Sequence, residues 1–150
     1  LPKQQVIENL QQACFSGKKI EKAKSLTADK DEIGFWPVEP IKEDFAYEVV
    51  KLDQPVENIQ LSSYASSQKN PSYYWPLVVF LDQQGCVLEG VTGFKREYVE
   101  ANHRQFASLT GILKKPNQAH FLLMTPLAES VDIEHLKLSH TGQIKLNVLR

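Results

Sequence analysis

The stretch from Tyr73 to Leu81, Tyr-Tyr-Trp-Pro-Leu-Val-Val-Phe-Leu, is the longest apolar run in the chain and limits the fold more than any other feature. It is far shorter than the roughly 20 residues that cross a bilayer, and Pro76 interrupts it. The segment therefore reads as a strand from Tyr74 to Leu81, apolar on both sides and so covered on both. Asp82-Gln83-Gln84-Gly85 follows, and Gly85 supplies the positive φ of a tight hairpin with a bulge. Cys86 to Val91 is then the returning strand.

Other segments carry the two-residue period of half-buried strands. Phe45, Tyr47 and Val49 alternate with Ala46 and Glu48, and Ile59 and Leu61 alternate with Gln60 and Ser62. Phe106–Leu113, Ala119–Thr125 and Ile144–Val148 complete the set, with turns at Lys115-Pro116-Asn117-Gln118 and Thr141-Gly142. Roughly seven or eight short strands, separated by turn signals, predict a mainly β domain. The architecture expected is a two-sheet antiparallel β-sandwich, jelly-roll-like, over residues 33–149. Residues 1–30 form its helical or extended lead-in. There Val6, Ile7, Leu10, Ala13 and Cys14 recur at helical spacing and predict a short N-terminal helix packed on the sheets, with Gly17 ending it in a left-handed conformation. Ile20, Ala23 and Lys24 suit a further short turn. Only Val131–Leu138 could supply another helix, so an α/β fold is excluded, and all 150 residues are assigned to one domain.

Composition narrows the function. With 17 basic and 18 acidic side chains the net charge is -1, without the basic excess that binding to nucleic acid by counterion release requires. Lys18, Lys19, Lys22 and Lys24, interrupted by Glu21, read as a solvated face. No segment is long and apolar enough to span a membrane as a helix. The chain opens without a signal-peptide pattern and without an initiator Met, which fits a trimmed, exported product as well as a cytosolic one. Cys14 and Cys86 are read as two separate small hydrophobes, since nothing local brings them together. A bond between them would stabilise by about 4 kcal/mol.

Catalytic signatures are sparse. There is no G-x-S-x-G elbow, and Gly90-Val91-Thr92-Gly93 lacks the lysine and helix of a phosphate loop. His103, His120, His135 and His140 have no metal-ligand spacing, and His120 reads as a hydrogen-bonded, partly buried side chain. Glu39, Asp44, Asp82 and Glu89 could pair only through the fold. No catalytic residue, metal ligand or cofactor is therefore assigned. The aromatic run is the feature that suggests binding. If Pro76 opens a strand at an edge or through a bulge, Tyr73 and Tyr74 lie near the polar loop Ser66–Ser72. One of the two is then exposed for stacking on a sugar, and Trp75 is core.

The segment Trp75-Pro76-Leu77-Val78-Val79-Phe80-Leu81-Asp82-Gln83, followed later by Phe121-Leu122-Leu123-Met124-Thr125, resembles the maltose operon periplasmic protein family (MalM-like proteins). Pro55 to Tyr64, Thr141 to Leu146 and the Ala13-Cys14 region are similar to further segments of that family, which often has paired cysteines where only Cys14 stands here. The resemblance implies a periplasmic protein, lipid-anchored to the outer membrane in some forms, serving carbohydrate transport, and it supplies no active site. The expectation is thus a non-enzymatic accessory protein that binds a sugar, glycan or envelope protein, with Tyr73 and Tyr74 as candidate ligand-binding residues. The alternatives are a structural interaction module of a surface-polysaccharide or adhesion system, and an undetected hydrolase.

Overall fold

The computed structural model describes residues 13–27, 32–35, 47–67, 69, 72–74, 76–91, 96–101, 107–126, 137–139 and 142–149. The elements along the chain are α1 (Lys18–Glu21), β1 (Lys24–Leu26), β2 (Glu32–Phe35), β3 (Glu48–Leu52), β4 (Asn58–Tyr64), β5 (Ser72–Tyr74) and β6 (Pro76–Leu81). They continue as β7 (Val87–Val91), β8 (Arg96–Val99), β9 (Ser108–Lys114), β10 (Phe121–Pro126), β11 (Lys137–Ser139) and β12 (Gln143–Leu149). Sheet I has the order β1-β3-β10-β6-β7 and sheet II the order β2-β12-β4-β9-β8, while β11 and β5 form a separate ribbon. Pairing is antiparallel except for β1 with β3 and β5 with β11. The expected sandwich is present, built from more and shorter strands than the alternation suggested. No helix among the described residues is long and apolar enough to cross a membrane.

Alternation accounts for the interior. Ile59 and Leu61 of β4, Leu109 and Leu113 of β9, and Ile144 and Leu146 of β12 point inward. They meet Val50 and Leu52 of β3, Val78 and Phe80 of β6, and Leu122 and Met124 of β10. Sheet I has a second apolar side, because β6 is buried along its whole length. Val49, Leu77, Val79, Leu81, Phe121 and Leu123 form that outer cluster, and Phe15, Ile20 and Ala23 pack over it. The run read as covered on both sides is therefore covered by sheet II on one side and by an N-terminal arm on the other.

The arm overturns two expectations. Cys14 does not belong to a helix: it forms an antiparallel bridge with Cys86, and the two are disulfide-bonded with Cα atoms 3.9 Å apart. Phe15 N donates to Gly85 O at 2.8 Å and Val87 N to Ala13 O at 3.1 Å, which makes Cys14 and Cys86 a directly opposed, non-hydrogen-bonded pair. In that pair type Cα atoms approach most closely. The cysteines are thus joined by strand pairing across 72 residues, a relation no local pattern reveals. The N-terminal residues Val6 and Leu10 of the expected helix lie outside the described residues. Gly17 does adopt positive φ (108°), but it precedes α1 instead of closing a helix. Four residues cannot hold a helix in water, so α1 owes its existence to the arm's packing and tether.

The β6–β7 hairpin follows the sequence reading closely. Asp82 Oδ1 accepts from Gln84 N and Cys86 N, each at 2.9 Å, and Gly85 N donates to Asp82 O at 3.0 Å. Register then slips between Phe80 and Leu81, which is the bulge. Gly85 has φ 83°, and a Cβ there would strike the Phe15 carbonyl oxygen. The glycine thus serves both the turn and the docking of the arm. Pro76 sits inside sheet I, neither at an edge nor at the bulge. It is tolerated as the first residue of β6, opposite Pro126 at the end of the ladder.

Candidate functional site

Neither Tyr73 nor Tyr74 presents the exposed ring expected of one of them. Both are buried, with 1% and 0% of their surface exposed, and both belong to the interior cluster. The chain leaves one layer and enters another between β5 and β6, so the alternation rule cannot be carried across residue 75. Strand β5 runs in the ribbon with β11 and packs against β4 and β12. Gly142 (φ 147°) lets the Tyr74 backbone come close, since a Cβ there would sit 3.3 Å from Tyr74 N and Cβ. Burial, with the Glu48 carboxylate nearby, pushes the Tyr74 phenol far above its usual range. Burial also raises Tyr73, helped by the neighbouring Tyr98 phenol, its hydrogen-bond partner. Both rings are therefore neutral packing groups. The loop beside them is pinched at its base, where Ser72 N donates to Ser66 Oγ at 3.0 Å and Ser66 N to Ser72 O at 2.9 Å. Trp75 lies outside the described residues.

Of the groups considered for chemistry, Glu89 is an exposed side chain of β7, and the others are occupied elsewhere or lie outside the described residues. The Asp82 carboxylate caps the hairpin turn. His120 is half-buried, with Nδ1 3.1 Å from Gln118 O and Nε2 3.4 Å from Gln54 Nε2, as the sequence reading expected of it. His103, His135, His140, Glu39 and Asp44 are outside the described residues. Among the described residues no three His, Cys, Asp or Glu side chains converge as metal ligands.

The surface left for recognition is the outer face of sheet II, the side away from the core. Strand register arranges its side chains in rows: Gln143, Tyr64, Ser108 and Val99; Lys145, Ser62, Thr110 and Glu97; Asn147, Gln60 and Ile112. Neutral amides and hydroxyls fill the middle, and Lys145 with Glu97 ends one row. Lys145 Nζ is 3.1 Å from Glu32 Oε1 and lies 5.9 Å from the centroid of the Tyr64 ring. The hydrogen bond to Glu32 raises the Lys145 ammonium above its ordinary value. Ile112 stands up from this polar field with 58% of its surface exposed, and Val99 of β8 (38%) adds to it, whereas Tyr98, paired with Leu109 and hydrogen-bonded to Tyr73, lies on the core side of that strand. The Asn147 Oδ1 atom is buried without a hydrogen-bond partner. Strand-by-strand alternation could have located this face, but Ile112 reads in sequence as one more core residue of an apolar strand.

A family comparison bears on the chain as a whole. The family described as "FilE, C-terminal domain" matches residues 1–150. The chain belongs to the FilE C-terminal domain family. No curated protein and no solved structure matches it. The MalM-like assignment is thereby corrected: the segments that suggested it are chiefly the buried strand β6 with its hairpin turn and the sheet strands β4, β10 and β12, features that any sandwich of this kind needs. The paired arm and hairpin cysteines of this FilE C-terminal domain are part of its own architecture.

Proposed function

We propose that this FilE C-terminal domain is a non-enzymatic binding module of an oxidising, extracytoplasmic compartment, and that it presents the outer face of sheet II to an envelope protein. The observation that carries this reading is the contrast between an apolar outer face sealed by the arm and a polar outer face. A disulfide of this kind persists outside the reducing cytosol, which supports an exported, periplasmic setting. The face of sheet II is hydrogen-bond-rich and carries the exposed apolar side chains of Ile112 and Val99, the pattern of an apolar contact within a polar surround. A sugar platform is supported less well, because the aromatic pair proposed for it is core.

Site-specific photocrosslinking in intact cells tests the proposal. A crosslinker at Ile112 or Gln60 should give a discrete protein adduct, while one at Lys22 on the arm should not give the same band. Equal yields of that adduct from both sides, or none from Ile112 and Gln60, would contradict the assignment of this face.

A further inference from the structure

We propose that the arm side of the domain docks on an anionic lipid surface. The chain as a whole is nearly neutral, at -1, yet Lys18, Lys19, Lys22 and Lys24 lie within seven residues against Glu21 alone. The fold concentrates them further. α1 packs on β3, and the exposed Lys51 of β3 shares the outer side of sheet I with the arm. The five lysines are exposed. Lys19 is partly committed, since its Nζ donates to Tyr47 O at 2.6 Å and sits 4.6 Å from the Tyr47 ring centroid. Lys18, Lys22, Lys24 and Lys51 have no ion-pair partner among the described carboxylates. The arm is thus amphipathic in a fixed sense: Phe15, Ile20 and Ala23 are spent on sheet I and the lysines of α1 and its end are exposed, while Lys24, in register with Val50, sits at the sheet edge on the core side and does not join them.

The arrangement suits a continuous negative surface better than a discrete ligand. Lysine is a hydrated point charge on a flexible stem, without the fork by which arginine grips one phosphate. The aromatic rings of this side, Phe15 and Tyr47, are half-buried against each other, with centroids 5.5 Å apart, so they offer no stacking platform for a polysaccharide. Near an anionic leaflet each lysine contributes about fivefold in partitioning, and the uncommitted Lys18, Lys22 and Lys51 together multiply to about a hundredfold. The disulfide and the Phe15–Gly85 and Ala13–Val87 hydrogen bonds hold the array in place, so docking orders little chain. This surface lies opposite the outer face of sheet II, and it stands whether or not that face binds a protein.

Vesicle co-sedimentation of the oxidised protein tests the proposal. Vesicles of phosphatidylcholine with phosphatidylglycerol should bind it at low salt and release it at high salt, and phosphatidylcholine alone should not. The triple variant Lys18→Gln, Lys22→Gln, Lys51→Gln should bind roughly a hundredfold more weakly. Lys114→Gln, on sheet II, should bind like wild type, and unchanged melting temperatures would show that both variants fold. Equal binding to neutral vesicles, wild-type binding by the triple variant, or no vesicle binding would overturn the proposal. Binding to soluble dextran sulfate without vesicle binding would assign the lysines to an anionic polymer instead.

Discussion

Sheets I and II have five strands each and share one interior, yet their outer faces are opposites. The outer side of sheet I is lined by Val49, Leu77, Val79, Leu81, Phe121 and Leu123, enough apolar surface to act as a sticky patch if left open. The outer side of sheet II is lined by amides, hydroxyls and a few charges. What closes sheet I is a short segment with almost no regular structure of its own. An arm of that kind loses roughly 1–2 kcal/mol of backbone entropy per ordered residue. The covalent link to Cys86 lowers that cost by confining the arm before it folds. The difference between the faces shows where covalent chemistry is needed: under the element too short to hold itself.

Removing the link should have the largest effect. A Cys14→Ser/Cys86→Ser protein loses the loop constraint across 72 residues, and denaturant unfolding should show a loss of about 4 kcal/mol. Exposure of the sheet I patch should then be visible as dye binding. A variant as stable as wild type would mean that the arm holds without its tether.

Substitutions on the two faces sharpen the comparison at a smaller scale. Leu123 is fully buried on the arm side, and Leu123→Ala should cost about 3 kcal/mol in equilibrium unfolding. Ile112, apolar and similar in size but 58% exposed, should change stability by at most about 0.5 kcal/mol on conversion to Ala. Similar costs at the two positions would abolish the distinction between the sealed apolar face and the polar one.

The smallest effect belongs to the Lys145–Glu32 pair on sheet II. Both side chains are partly exposed, at 30% and 54%, so a double-mutant cycle should give under about 1 kcal/mol, weakened by salt. Because the folded protein holds the Lys145 pKa above its ordinary 10.5, this contribution is complete below that pH and is lost as pH rises through the higher folded value. A coupling that persists well above that pH would rule out the ion pair as its source.

Much of this asymmetry is written in the sequence. Pro76–Leu81, apolar at every position, demands two covers, whereas Ile59-Gln60-Leu61 and Ile144-Lys145-Leu146 demand one. The hairpin was equally readable, because Asp82 and Gly85 encode it within four residues. The identity of the second cover was not. Cys14 pairs with a residue 72 positions away, and the helical spacing of Val6, Leu10 and Cys14 pointed to a helix instead. Tyr73 and Tyr74 misled for a related reason. Strand alternation holds only within one strand, and here β5 and β6 belong to different layers. The outer face of sheet II could be placed by period alone, but which of its side chains stand proud depends on register with β8 and β12.

The central claim is that a disulfide-tethered arm pairs with the β6–β7 hairpin and seals sheet I. The amide hydrogens of Phe15 and Val87 report on it directly, since they donate across the arm–hairpin junction to Gly85 O and Ala13 O. Hydrogen exchange on the oxidised protein should find both amides strongly protected, and reduction of the disulfide should release that protection while leaving the amides of β4 and β9 slow. Exchange at Phe15 and Val87 as fast as in an unstructured peptide, in protein shown to be oxidised, would contradict the account.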